Sequence, residues 1–405
     1  MRTTKTNADI VGLFNQYTEG LPSCPMFREW CGITLVAGAM ERRIWTQVGR
    51  MQSFANLFVM LVGPAGTGKG VINSVRDLWK GTMNGTQAIF NVGIKSYTKA
   101  SLVDDLHDAK KTYVADAGEP LIYHSLLLAS EEFPVLFPRF DFELLAFMSD
   151  IWNCDAVYDE RRRTSAIKSV SISYPIINAI MGYQPAVMAQ TMPSTAWEQG
   201  FMRRTIMIWN GTVEVKSLFE SDPLDEELAK AIHRRLYQIS TLYGAMKWES
   251  KAAAMLDIWH TEGGQPRPDH VRLQSYNNTR SHLAIKLAMI ASISESSDMV
   301  IREHHIGRAL TWLIKAESLM PEIFRSMTGD SDSALITELH ASMLVIYKSS
   351  HKAIHNRFIW DFLSKRTPSH KVQHIIGVME RAGYIVRDSK LPEMWIPMSN
   401  QGTPH

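Results

Sequence analysis

The stretch Gly63-Pro64-Ala65-Gly66-Thr67-Gly68-Lys69-Gly70 constrains this chain more than any other, because of what flanks it. Before it, Leu57-Phe-Val-Met-Leu-Val62 is an unbroken apolar run, the pattern of a strand buried on both faces. After it, from about Gly70, the pattern turns helical. A Gly-rich turn between a buried strand and a helix offers backbone N–H groups to an anion, and the helix dipole adds positive potential. Gly63 to Val71 therefore read as a phosphate cradle for ATP, with Lys69 reaching the β- and γ-phosphates. The residue after Lys69 is Gly70, where such loops normally carry a Ser or Thr hydroxyl for magnesium. Mg2+ must then be held by water, by the nucleotide and by an acidic residue elsewhere.

That residue has a candidate. Leu126-Leu-Leu-Ala-Ser130-Glu131-Glu132-Phe133 is an apolar strand ending in two carboxylates, which at the C-terminal edge of a parallel sheet face the nucleotide. Glu131 is expected to orient the metal shell and Glu132 to polarise an attacking water. The plainer alternative is a pair of carboxylates capping the next helix. Further strands are expected at Ala88–Val92, Ser171–Met181 and Thr205–Trp209, alternating with helices, the first of them N-capped by Thr98. The fold class is thus α/β, a parallel sheet with helices on both faces.

Beyond residue 215 the strand signal stops, and helices are expected over 222–242, 249–260, 271–295 and 303–326. Residues 1–50 read as helical, including Met26 to Trp45. Met327-Thr-Gly-Asp-Ser-Asp-Ser333 reads as a polar linker. From 334 the pattern is three helices and two short strands, a winged helix. The composition agrees with a multidomain globular protein: 45% hydrophobic and 21% charged over 405 residues. A net charge of +2 argues against a protein that coats nucleic acid by bulk charge, without bearing on local patches. The three cysteines lack metal-ligand spacing and are expected reduced. No signal sequence or membrane span is visible, so a cytoplasmic location is expected, in a bacterial host if the gene is a phage's.

The loop, the acidic pair before Phe133 and three later stretches together resemble the AAA+ ATPases. The likeness is to the clade of the minichromosome-maintenance helicases and the helicase-like ATPases of phages and mobile elements. The later stretches are Ile180-Met-Gly-Tyr-Gln184-Pro185, Gly200-Phe-Met-Arg203-Arg204-Thr-Ile-Met-Ile, and Asn278-Thr-Arg280-Ser-His-Leu-Ala-Ile-Lys. The resemblance implies that Gln184 positions the lytic water and that Arg204, ahead of Arg203, is a finger reaching a neighbouring subunit's γ-phosphate. It implies that Arg280 is a second nucleotide sensor. It divides the chain into an N-terminal helical segment (1–50), a P-loop AAA+ core (51–214), an α-helical lid (215–328), a C-terminal winged-helix domain (333–398) and a tail (399–405). The family's N-terminal OB-fold and zinc cysteines have no counterpart before Asn56.

In that family the interval before the fourth strand holds a hairpin lining the channel of a ring. Here it carries Arg161, Arg162, Arg163 and Lys168, which would track phosphates of a single strand, and Tyr158, which would stack on a base. A solvated basic turn offset by Asp159 and Glu160 is the plainer reading. The C-terminal segment has an excess of basic residues, and Lys365, Arg366, Lys371 and Arg387 fall near the recognition helix and wing, where duplex DNA would touch. Such domains also serve as protein contacts. The resemblance implies a ring-forming, hexameric, ATP-driven DNA helicase or translocase of phage or mobile-element replication. The alternative is an ATP-gated assembly factor on DNA, such as a helicase loader, initiator or transposition regulator, with slow hydrolysis.

Overall fold

The computed structural model describes residues 9–114, 120–138, 141–161, 169–217, 225–367, 369–389 and 391–398. The chain is α/β and divides into two compact units, Met1–Ile323 and Phe324–His405.

The first unit is organised on a five-stranded sheet. Its order is Thr205–Trp209, Phe58–Val62, Pro175–Tyr183, Leu121–Ser130, Lys110–Tyr113. The first four strands are parallel and the last is antiparallel. Every residue of Phe58–Val62 and of Pro175–Tyr183 is buried. Successive side chains point to opposite faces, so burial throughout means that both faces are covered. Helices Pro25–Met40 and Ile72–Gly81 pack on the sheet and on each other, where Trp79 Nε1 donates to the Leu35 carbonyl at 3.1 Å. Helix Lys99–Asp108 begins at Thr98 as expected, with Thr98 and Ser101 forming a reciprocal capping box.

Several expected elements differ. The strand expected over Ser171–Met181 is two strands, Ser169–Ser173 and Pro175–Tyr183, divided at Tyr174, whose φ is 46°. Ser169–Ser173 pairs antiparallel with Val157–Arg161, so the base of a hairpin is present. Arg162, Arg163 and Lys168 lie outside the described residues. Of the strand expected over Ala88–Val92, only Gln87–Ala88 and one parallel bridge, Val92 to Leu127, are formed.

The expectation that strands end near 215 is overturned. A second sheet runs Val300–Ile301, Gly244–Trp248, Ile44–Val48, Met51–Phe54, and it also ends the helix expected through Trp45 at Met40. Ile44–Val48 and Met51–Phe54 form a hairpin, and Gly244–Trp248 lies parallel to Ile44–Val48 on its other side. Thr46 locks this junction: its Oγ1 donates to the Met246 carbonyl at 3.1 Å and accepts from Trp248 Nε1 at 2.7 Å.

Helices Glu226–Thr241, Ser250–Thr261 and Arg280–Glu295 follow, the last preceded by two short turns, Val271–Leu273 and Gln274–Asn277, where one continuous helix was expected. The polar stretch 327–333 is not a linker but lies within the helix Glu303–Ser350. Ser, Thr and Asp disfavour a helix by only tenths of a kcal/mol each and Gly by about 1 kcal/mol, which a long helix tolerates.

The second unit, taken by itself, contains helices Asn356–Ser364 and Ser369–Arg381 and a three-stranded sheet ordered Ile354–His355, Met394–Pro397, Ile385–Arg387. Its core joins Leu339, Met343, Ile359, Val372, Met379 and Trp395. Among the described residues no helix is long and apolar enough to cross a membrane.

Candidate functional site

The parallel pairing decides where chemistry can gather. Tyr183 stands beside Val62, and Met181 beside Ser130, so strands Phe58–Val62, Pro175–Tyr183 and Leu121–Ser130 end together. The segments leaving them are the glycine loop, Gln184 and the acidic pair. Gly68 has φ 83°, and a Cβ there would lie 2.1 Å from the Pro22 carbonyl oxygen, so only glycine fits. Gly182 is pressed equally hard: a Cβ would come within 1.9 Å of the Glu131 carbonyl oxygen.

Lys69 is 7% exposed and curls back into its own loop. Its Nζ donates to the carbonyls of Gly63 at 2.8 Å and Pro64 at 2.7 Å, and to Thr67 Oγ1 at 3.4 Å. Burial pushes its pKa below the usual lysine value, and the Glu132 carboxylate pulls the other way. Gln184 Nε2 donates to Glu132 Oε1 at 3.2 Å, and Ser130 Oγ donates to the Glu132 carbonyl at 3.0 Å. Asn73 Nδ2 donates to Glu131 Oε1. Phe133 is buried and stacks on Tyr183, ring centroids 4.8 Å apart, which fixes the chain just past the carboxylates. The structure therefore brings together Lys69, Glu131, Glu132 and Gln184. It adds Asn73, which sequence reasoning missed; the available signal was its position three residues past Gly70, on the same helix face.

Arg204 and Arg280 are both engaged by partners within their own chain. Arg204 is half-buried: its Nη2 donates to Asn153 Oδ1 at 2.9 Å, its Nη1 to the Gly200 carbonyl at 3.3 Å, and its guanidinium lies over Trp152. Arg203 beside it is the exposed member of the pair. Arg280 is a buried cation held within its own chain. Its Nε and Nη2 grip Glu317 at 2.7 and 2.6 Å, and further bonds reach the carbonyls of Gly264 and Pro266. Local pattern could not reveal this, because the partner carboxylate lies 37 residues downstream.

The basic positions are mostly paired. Tyr158 donates to Glu160 Oε2 at 2.7 Å and packs edge-on against Phe147, so it is not a free stacking platform. Arg161 is exposed. Within the second unit Lys365 pairs with Asp361, Arg366 with Glu338 and Arg387 with Glu380, while Lys371 is half-buried. Exposed pairs of this kind contribute about 0–1 kcal/mol, so an incoming phosphate can displace the carboxylate cheaply.

Glu295, His304 and His305 bring their ligand atoms within 4.8 Å of one another, a grouping that invites a metal reading. His305 Nδ1, however, accepts from the backbone N–H of Arg302 at 2.9 Å, so Nε2 carries the proton and donates to Glu295. The cluster is satisfied as a helix cap and ion pair.

Comparison with known protein families and with curated proteins finds no match.

Proposed function

We propose that the first unit is a P-loop ATPase domain of the AAA+ kind and that the protein is an ATP-dependent DNA helicase or translocase of phage or mobile-element replication. The observation that carries this reading is the convergence of Lys69, Glu131, Glu132 and Gln184 at the ends of three parallel strands, beside a glycine loop opening a helix. In that reading the triphosphate replaces the Gly63 and Pro64 carbonyls as partner of Lys69. Gln184 holds the Glu132 carboxylate, which would take a proton from water attacking the γ-phosphate. Glu131 would hold Mg2+, its carboxylate standing beside Gly70, where the usual hydroxyl is missing. Bound Mg2+ neutralises charge on the phosphate oxygens.

The chain would work as a homo-oligomer, a hexameric ring in the resemblance, with an arginine of one subunit completing its neighbour's site. Arg203 suits that role better than Arg204, whose guanidinium is already held within its own chain. The second unit is read as a winged helix that contacts duplex DNA with Lys365, Arg366, Lys371 and Arg387, and the Val157–Ser173 hairpin as the element that follows a single strand. One observation favours the alternative, an ATP-gated assembly factor with slow turnover: the resting Lys69 ammonium is fully engaged with its own loop.

Titrating the purified chain with a fluorescent ATP analogue tests the nucleotide reading, K69A being expected to lose at least tenfold in affinity. Wild-type protein that does not bind the analogue refutes it. Hydrolysis stimulated by single-stranded DNA then supports the motor, whereas ATP-dependent assembly on DNA with little hydrolysis supports the switch.

A further inference from the structure

We infer that Asn73 is a positioning residue, clamping Glu131 into the space that Gly70 leaves open, so that this pair replaces the missing hydroxyl as the protein's hold on the nucleotide's divalent cation. The inference rests on the nucleotide reading above. Three independent contacts define the arrangement. A Cβ built on Gly70 would lie 3.3 Å from Glu131 Oε2 and 3.9 Å from its carboxyl carbon, so the carboxylate stands where a side chain at 70 would project. The other carboxylate oxygen, Oε1, accepts from Asn73 Nδ2. The Glu131 backbone is fixed from behind by Gly182, which tolerates no side chain against the Glu131 carbonyl.

The amide of Asn73 is oriented by this bond, because reversing it would set two acceptor oxygens against each other. Its Oδ1 is buried and has no hydrogen-bond partner, which is uncommon and costly in a folded chain. A water of the cation's shell beside Glu131 would satisfy this orphaned acceptor, one helical turn beyond Gly70. A serine or threonine at 70 would crowd Glu131. A glycine there lets the carboxylate approach directly, so the loop and the acidic strand end are matched to one another.

The test is the ratio of affinities for a fluorescent ATP analogue in excess Mg2+ and in EDTA, measured on the full chain. Wild type is expected to bind at least tenfold more tightly with Mg2+. E131Q should abolish most of that gain and N73A should reduce it at least threefold, with the loss in the Mg2+ titration and not in the EDTA one. Introducing G70S into E131A, whose truncated side chain clears the space beside residue 70, should recover part of the gain, since a hydroxyl then enters it. Mn2+ bound in the presence of nucleotide, counted by electron paramagnetic resonance, should fall in parallel. Tight binding with a wild-type ratio in both E131Q and N73A overturns this inference and leaves the nucleotide reading standing. A wild-type ratio near one overturns it equally. Absence of analogue binding in both titrations overturns the nucleotide reading itself.

Discussion

Replacing Arg280 by alanine distinguishes a buried strut from a nucleotide sensor. Arg280 and Glu317 have side chains 3% and 2% exposed and form a two-pronged pair. Truncation removes both prongs and the bonds to Gly264 and Pro266, leaving the Glu317 carboxylate with the Tyr276 hydroxyl at 2.9 Å as a partner. Stranding one member of a buried pair costs about 3–5 kcal/mol. Burial already raises the Glu317 carboxyl above its usual range against the pull of Arg280. Without that pull the folded state favours the protonated acid further. A carboxyl whose folded pKa is raised stabilises the fold at low pH and loses that contribution as pH rises through the folded value. The destabilisation of R280A is therefore largest near pH 8 and shrinks toward pH 5. Chemical denaturation followed by tryptophan fluorescence at both pH values measures it, and the double variant R280M/E317L should recover much of the loss. An R280A protein that unfolds like wild type yet loses ATP hydrolysis refutes the structural assignment.

Other substitutions probe different parts of the molecule. Lys286 is buried, donates to the Phe54 carbonyl at 2.8 Å and to Asn56, and has its pKa depressed to about 8, chiefly by burial. Its folded form releases a proton before the unfolded chain does, so stability should rise between about pH 8 and the ordinary lysine value of 10.5. K286M should flatten that rise in denaturation curves. G68A forces a left-handed φ on alanine, about 1–2 kcal/mol, and drives a methyl into Pro22, so the ATP analogue should bind at least tenfold more weakly. R203A should leave the unfolding midpoint unchanged and lower hydrolysis only in assembled protein, whereas R204A should lower the midpoint by loosening Trp152 and Asn153; equal midpoints for the two would contradict this division.

The part of the site that was legible in the sequence was carried by strand ends. Apolar runs announce parallel strands, and whatever follows such runs is delivered to one edge, so Lys69, Glu131, Glu132 and Gln184 could be read before any coordinates. What escaped depended on partners distant in sequence. Arg280 looks like any helix-start arginine until Glu317 is beside it, and the order of preference for Arg204 over Arg203 could not foresee that Asn153 and Trp152 hold Arg204. Gly244–Trp248 is too short and too mixed to declare itself a strand, and it is a strand because it pairs with Ile44–Val48 rather than through its own pattern. The 327–333 stretch misled in the opposite sense, since local polarity argued for a break that the flanking helix overrides.

The parallel pairing of Ile44 with Gly244 has a consequence for biogenesis. At synthesis rates of about 5–20 residues per second, the strand Ile44–Val48 waits roughly 10–40 seconds for its second neighbour to leave the ribosome. Through that interval one edge of the hairpin is an open template for another nascent chain. Fragments ending before Trp248 should therefore aggregate through this edge even though they contain the whole glycine loop and both carboxylates, and soluble truncations should begin to appear only once Trp248 is included.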